Sequence, residues 1–223
     1  MTVETEFLKS IPYFSGLSTD ELDSIRKSIF ERTTERGEII LLEGESAKEL
    51  YFIVSGAVKL FKTSAEGKEQ ILSIVRPGES FGDVPVFDGG LSPISAQAMV
   101  PIALYGIRKS DLETILREYP RVALNVTSVL AGQVRHFMSL VEDLSFKHVI
   151  DRVAKILLEY AGDGTGSRPR LTQQEMAAMA GTAREMIGRS LKALEEDGLI
   201  RLDRNRIVIT NNEALKELAG VGA

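Results

Sequence analysis

The sequence predicts an α+β chain in which a β-sandwich or barrel is followed by one long helix and a winged helix-turn-helix. Three observations carry this. Short strand-like runs recur between Ile29 and Ile107, separated by Gly-containing turns such as Ser55-Gly56, Glu66-Gly67 and Pro77-Gly78. From about Arg121 to Asp143 the apolar spacing lengthens to that of a helix. Beyond Lys147, helix, helix, Gly turn, helix and hairpin follow in order.

The elements can be justified in turn. Residues 1–28 read as helical, and Ser18 with Glu21 three positions later has the form of a capping box. The strand runs are Glu38–Leu42, Leu50–Ser55, Ala57–Lys62, Gln70–Val75, Ser95–Val100 and Ile102–Ile107. Ser110-Asp111 can start a short helix ending near Tyr119-Pro120, since the residue before Pro resists the helical conformation. In the long helix Val122, Val126, Val129, Gln133, His136 and Leu140 form one stripe. Leu130, Val134, Phe137, Val141 and Leu144 form a second beside it. A helix with two apolar stripes needs two covering surfaces, and we expect the β-domain on one and a second copy of the helix on the other.

Val149–Tyr160 reads as a helix, and residues 161–167 as a loop. Thr172–Ala180 and Thr182–Glu196 read as helices joined at Gly181, each with a capping box (Thr172 with Glu175, Thr182 with Glu185). Asp197-Gly198 then turns into a hairpin of Leu199–Leu202 and Arg206–Ile209. On a helical projection of Thr182–Glu196, Ile187, Leu191 and Leu194 share the apolar arc, while Arg184, Glu185, Gly188 and Arg189 share the opposite one.

Composition narrows the chemistry. The chain has 223 residues and no Cys, which excludes disulfides, zinc fingers, thiol nucleophiles and Cys-held iron–sulfur clusters. Its two His, His136 and His148, cannot build a three-imidazole metal site in one chain. No metal site and no enzymatic activity are expected; a cupin-like metalloenzyme is the rival reading. No apolar run approaches the roughly 18 residues that cross a bilayer, and MTVETEFLKS has no secretory pattern, so a cytoplasmic protein without a membrane partner is expected. Net charge is −5, concentrated before Lys147, while the C-terminal part is close to neutral. Charge alone therefore argues only weakly for nucleic acid.

The second arc of Thr182–Glu196 argues more strongly. Arg can bond bidentately to guanine O6 and N7, and Glu can accept from cytosine N4. Arg184, Glu185 and Arg189 lie in the first half of the helix, the half that a recognition helix inserts into the major groove of duplex DNA. Thr172, Thr182, Arg204 and Arg206 are candidates for the phosphates, which position the protein without specifying sequence.

LTQQEMAAMAGTAREMIGRSLKALEEDGLI resembles the helix-turn-helix of the CRP/FNR family of bacterial transcription regulators. The family's Arg-Glu-x-x-x-Arg motif is matched at Arg184, Glu185 and Arg189. SIPYFSGLSTDELDSI, GEIILLEGESAKELYFIVSGAVKLFK and PGESFGDVPVFDGG are similar to its N-terminal parts, so the resemblance covers essentially the whole chain. It implies a cyclic-nucleotide-binding-like β-roll (jelly roll) over 1–120, a dimerisation helix over 121–145 and a winged helix over 146–223. It implies also a homodimer on palindromic DNA, with half-sites near the TGTGA type, that contacts RNA polymerase.

The sensor segment departs from the family pattern. Cyclic-AMP-responsive members carry Gly-Glu for the ribose and Arg-Ser or Arg-Thr for the phosphate. Here Gly82-Asp83 fills the first, Ser92-Pro93-Ile94-Ser95-Ala96 stands at the second, and no Lys, Arg or His occurs from Val84 to Ile107. A phosphodiester there would lack its local cation. Phe137-Met138 stands where such members use Thr-Ser for the base. Cyclic AMP is therefore disfavoured and no cofactor is assigned. An apolar effector would find Phe81, Gly82, Asp83, Val86, Phe87, Ile94, Ser95 and Phe137. A haem would take His136 as axial ligand, although a lone helical His is more often structural. A cyclic-nucleotide-responsive regulator, or a regulatory subunit that binds a cyclic nucleotide but not DNA, are the remaining alternatives.

Overall fold

The structure is a computed structural model describing residues 3–160, 171–203 and 206–221. The chain opens with helices α1 (Thr5–Ser10) and α2 (Thr19–Arg26), separated by a 3-10 turn at Pro12–Phe14. The Ser18–Glu21 capping box starts α2 as expected. Eight strands follow: β1 (Ile29–Thr34), β2 (Ile39–Leu41), β3 (Glu49–Ser55), β4 (Val58–Thr63), β5 (Glu69–Val75), β6 (Ser80–Phe81), β7 (Ser95–Ala98) and β8 (Ile102–Arg108). A short helix α3 (Asp83–Asp88) interrupts them. They form two four-stranded sheets, ordered β1-β8-β3-β6 and β2-β7-β4-β5.

The sequence of β3 shows how the layers are built. Leu50 and Phe52 point to one face, where they pack with Leu8, Ile11, Tyr13, Phe14, Leu22 and Ile25 of the N-terminal segment. Tyr51 and Ile53 point to the other, where they meet Val58, Leu60, Val75 and Phe81. A strand covered on both faces reads as an unbroken apolar run, which is why LYFIV does not alternate.

Helix α4 (Lys109–Glu118) begins one residue before the expected Ser110 start, and no side chain caps it. The long helix α5 runs from Pro120 to Phe146, slightly beyond its predicted ends. Its first stripe is buried by the β-roll, through Val122, Val126 and the partly buried Val129. Its second stripe is exposed beyond Leu130: Val134 at 57%, Phe137 at 38%, Val141 at 64% and Leu144 at 37%.

The C-terminal elements are α6 (Val149–Tyr160), α7 (Gln173–Ala180), α8 (Arg184–Glu196), β9 (Ile200–Asp203), β10 (Arg206–Ile209) and α9 (Asn212–Ala219). Helix α6 packs against α7, α8 and α9. The described chain divides into two compact units, residues 1–62 with 72–136, and residues 63–71 with 137–223. The tip of the β4–β5 hairpin thus belongs with the C-terminal unit, where the Gln70 side-chain amide donates to the Met179 carbonyl at 3.2 Å. Among the described residues no helix is long and apolar enough to cross a membrane.

Candidate functional site

The helix-turn-helix is set by three local devices. Thr172 caps α7, its Oγ1 accepting from the Glu175 amide at 3.1 Å while the Glu175 carboxylate accepts from the Thr172 amide at 2.6 Å. Gly181 ends α7 in the left-handed conformation at φ 63°. The Thr182 amide then donates back to the Ala177 carbonyl, which closes the turn.

That last bond corrects one expectation. Thr182 does not cap α8: its amide is committed to the end of α7, the helix begins at Arg184, and Ala183 is the N-cap without a side-chain bond. Glu185 therefore makes no capping box and is exposed. Gly181→Ala is expected to cost about 1–2 kcal/mol, because an L side chain resists this φ and its Cβ would lie 2.8 Å from Leu144 Cδ2. Thermal unfolding measures the loss.

Helix α8 is split as the projection requires. Ile187, Ser190, Leu191 and Leu194 are buried, while Arg184, Glu185 and Arg189 are exposed and Gly188 is half-buried between them. Two guanidinium forks and a carboxylate thus share one outward arc. The Arg189 Nη1 lies 4.0 Å from Met186 Sδ, a weak contact that leaves the fork available. Thr172 is exposed at the start of α7, Thr182 is half-buried in the turn, and Arg206 is exposed at the start of β10. Arg204 lies outside the described residues. The Glu195 carboxylate accepts from the Leu202 amide at 2.7 Å, which fastens the hairpin to α8.

Behind this surface lies a polar bracket that spacing did not reveal. Arg152 donates to the carbonyls of Ala180 at 2.8 Å, Lys147 at 2.6 Å and Asp143 at 3.3 Å. It satisfies the open carbonyls at the end of α5 and at the end of α7 together. Asp143 pairs with Lys147 at 2.9 Å and with Lys155. Burial alone would raise its pKa, but hydrogen bonds and charge from both lysines outweigh that and hold it below the usual carboxylate range.

The residues expected to line an effector pocket are distributed over two cores. Phe81 is buried in the core between the sheets, with Ile94 packed against it. Val86, with Phe87 beside it, belongs to the core under the N-terminal helices. Gly82 caps α3 at φ 86°, and a Cβ there would meet the Glu49 carbonyl at 2.9 Å. Ser95 Oγ accepts from the Glu43 amide at 3.0 Å. Asp83 is buried and accepts from Tyr13, Ser80 and Gln133, while Phe137 on α5 is 38% exposed. His136 Nε2 lies 3.0 Å from the Leu72 carbonyl. Among the described residues no three His, Asp or Glu side chains cluster closely enough to hold a metal ion.

Residues 31–119 match the cyclic nucleotide-binding domain family, and residues 151–218 match the Crp-like helix-turn-helix domain family. The chain is 34% identical to the cyclic AMP receptor protein of Thermus thermophilus, over 95% of this chain and 98% of that one. It is 30% identical to the CRP-like cAMP-activated global transcriptional regulator of Mycobacterium tuberculosis, over 96% and 99% of the two chains. Among solved structures, FixK2 from Bradyrhizobium japonicum superposes with a TM-score of 0.78 at 26% identity, covering 87% of this chain and 99% of that one. Two matched domains, a fold shared with these regulators and full-length similarity together establish that the chain belongs to the CRP/FNR family of transcription regulators and carries a helix-turn-helix DNA-binding domain.

Proposed function

We propose that the chain acts as a homodimer reading a palindromic DNA site through α8, with residues 1–120 as sensor, 121–145 as dimerisation helix and 146–223 as reader. The carrying observation is the outward arc of α8. Arg184, Glu185 and Arg189 stand exposed on its first turns, while its other face is buried in the domain. Guanidinium forks and a carboxylate in that position suit base edges in the major groove. Thr172, Thr182, Arg204 and Arg206 serve the phosphate backbone. The exposed second stripe of α5 supports pairing of two copies. A regulator of this kind works in the cytoplasm and delivers its effect through RNA polymerase.

Selection of bound duplexes from a random pool tests the reading. An inverted repeat is the expected product, and recovery of no preferred sequence would refute it. Arg206→Ala is expected to weaken all duplexes alike and to reduce the slope of log affinity against log salt by about one phosphate contact, near 0.9. Affinity measured at several salt concentrations checks this.

Cyclic AMP is not the effector in this reading. The supporting observations are the absence of Lys, Arg and His from Val84 to Ile107 and the internal engagement of Asp83. The names of the relatives favour a second reading, in which cyclic AMP activates this chain as it does those proteins. Titration calorimetry with cyclic AMP separates the two.

A further inference from the structure

Asp83 is only 5% exposed, and its carboxylate is engaged by three side chains from three parts of the chain. The Tyr13 hydroxyl donates to Oδ1 at 2.5 Å, and Ser80 Oγ donates to the same oxygen at 3.1 Å. Gln133 Nε2 donates to Oδ2 at 3.1 Å. Burial pushes the Tyr13 phenol above its ordinary range, and the charge of Asp83 adds to this, so the phenol stays protonated and donates. The network joins the 3-10 turn, the β6–α3 corner and α5. Asn125, two turns earlier on α5, donates its amide to the Tyr13 and Ser15 carbonyls, each at 2.9 Å. The first half of α5 is thereby tied to the β-roll by side-chain amides as well as by Val122 and Val126.

A carboxylate has about four acceptor sites, and here three are filled from within the protein. A ligand hydroxyl seeking Asp83 would have to displace donors that are already paired and buried. Gln133 follows Val122, Val126 and Val129 on the first α5 stripe, and its partner is this carboxylate. Past Gln133 the same helix presents Val134, Met138 and Val141, then continues to the hinge before α6.

We propose that Asp83 is a positioning residue for DNA binding: through Gln133 it fixes the rotation of α5, the helix that runs on towards the reader domain, without itself taking a ligand. The proposal rests on α8 being the DNA reader.

The test uses the full chain, freed of nucleotide by dialysis, and a labelled duplex carrying the selected site. Wild type should bind, and about 1 mM cyclic AMP should change its affinity by less than about twofold. Asp83→Asn and Gln133→Glu should each weaken binding by about tenfold or more, and Gln133→Ala by several-fold. The double variant Asp83→Asn/Gln133→Glu should recover to within about threefold of wild type, because the new amide donates to the new carboxylate while its carbonyl still accepts from Tyr13 and Ser80. Gln133→Ala alters a half-buried helix position and keeps the test open if a buried variant does not fold.

Folded Gln133→Ala with wild-type affinity would overturn the proposal, as would failure of the double variant to recover. Cyclic AMP tightening wild type by tenfold or more, with the gain lost in Asp83→Asn, would make Asp83 a ligand instead. Wild type silent toward every duplex at low salt would overturn the reading of α8 itself, and the proposal with it.

Discussion

Arg184→Ala is expected to remove about 1–3 kcal/mol of base discrimination per half-site, roughly 5- to 150-fold in preference, while binding to unrelated duplex changes little. The reason is geometric. Arg184 is exposed on the first turn of α8 and belongs to none of the buried contacts that hold the helix. Its loss therefore leaves the fold intact, and the cost falls on recognition. Glu185→Ala and Arg189→Ala should relax other positions of the same half-site. Competition between the selected site and single-base variants of it measures each effect. Uniform weakening across all variants would reassign Arg184 to the phosphates.

Val141→Asp is expected to have a larger effect, converting the proposed dimer to a monomer and lowering affinity for the proposed palindrome by about 10²–10⁴-fold. In a single copy Val141 is 64% exposed, so an Asp there meets water and should change monomer stability by no more than about 0.5 kcal/mol. In a dimer the same position lies on the apolar seam formed with Val134, Phe137 and Leu144, where two unpaired carboxylates would be desolvated. Sedimentation velocity reads the association state, and binding to one half-site against two reads the loss of linkage. A variant that remains dimeric would place the interface elsewhere.

Much of the architecture was legible because local chemistry and packing agree. The Ser18 and Thr172 capping boxes, the Gly181 turn and the apolar run of β3 each correspond to what the structure shows. Other elements lack such agreement. β1 was not distinguished as a strand: IFERTT is mostly half-exposed and is defined by its ladder with β8. α3 was missed because it carries Pro85 in its first turn and follows a glycine with positive φ. α9 is only eight residues long, barely two turns, too short for its Asn211 cap and its apolar Leu215 and Leu218 to set a helical period apart from a loop.

The second capping box was misread for a different reason. Thr182 has the right residue three positions later, but its amide is taken by the turn before it, a competition that spacing cannot show. The outward polar arc of α8 was readable because helical periodicity alone brings Arg184, Glu185 and Arg189 together. The Asp83 network was not, since its members stand 50 and 70 residues apart. Its one trace in the sequence is a glutamine following the valines of the first α5 stripe.

The end of α7 depends on groups far away along the chain. The Met179 carbonyl is met by Gln70 from the β4–β5 hairpin, and the Ala180 carbonyl by Arg152. A fragment cut to begin at α6 would keep the second partner and lose the first. Anyone shortening this protein to its reader alone should therefore anticipate a looser corner between the two helices than the intact chain has, and a natural relative that trims the hairpin would need another donor at that spot.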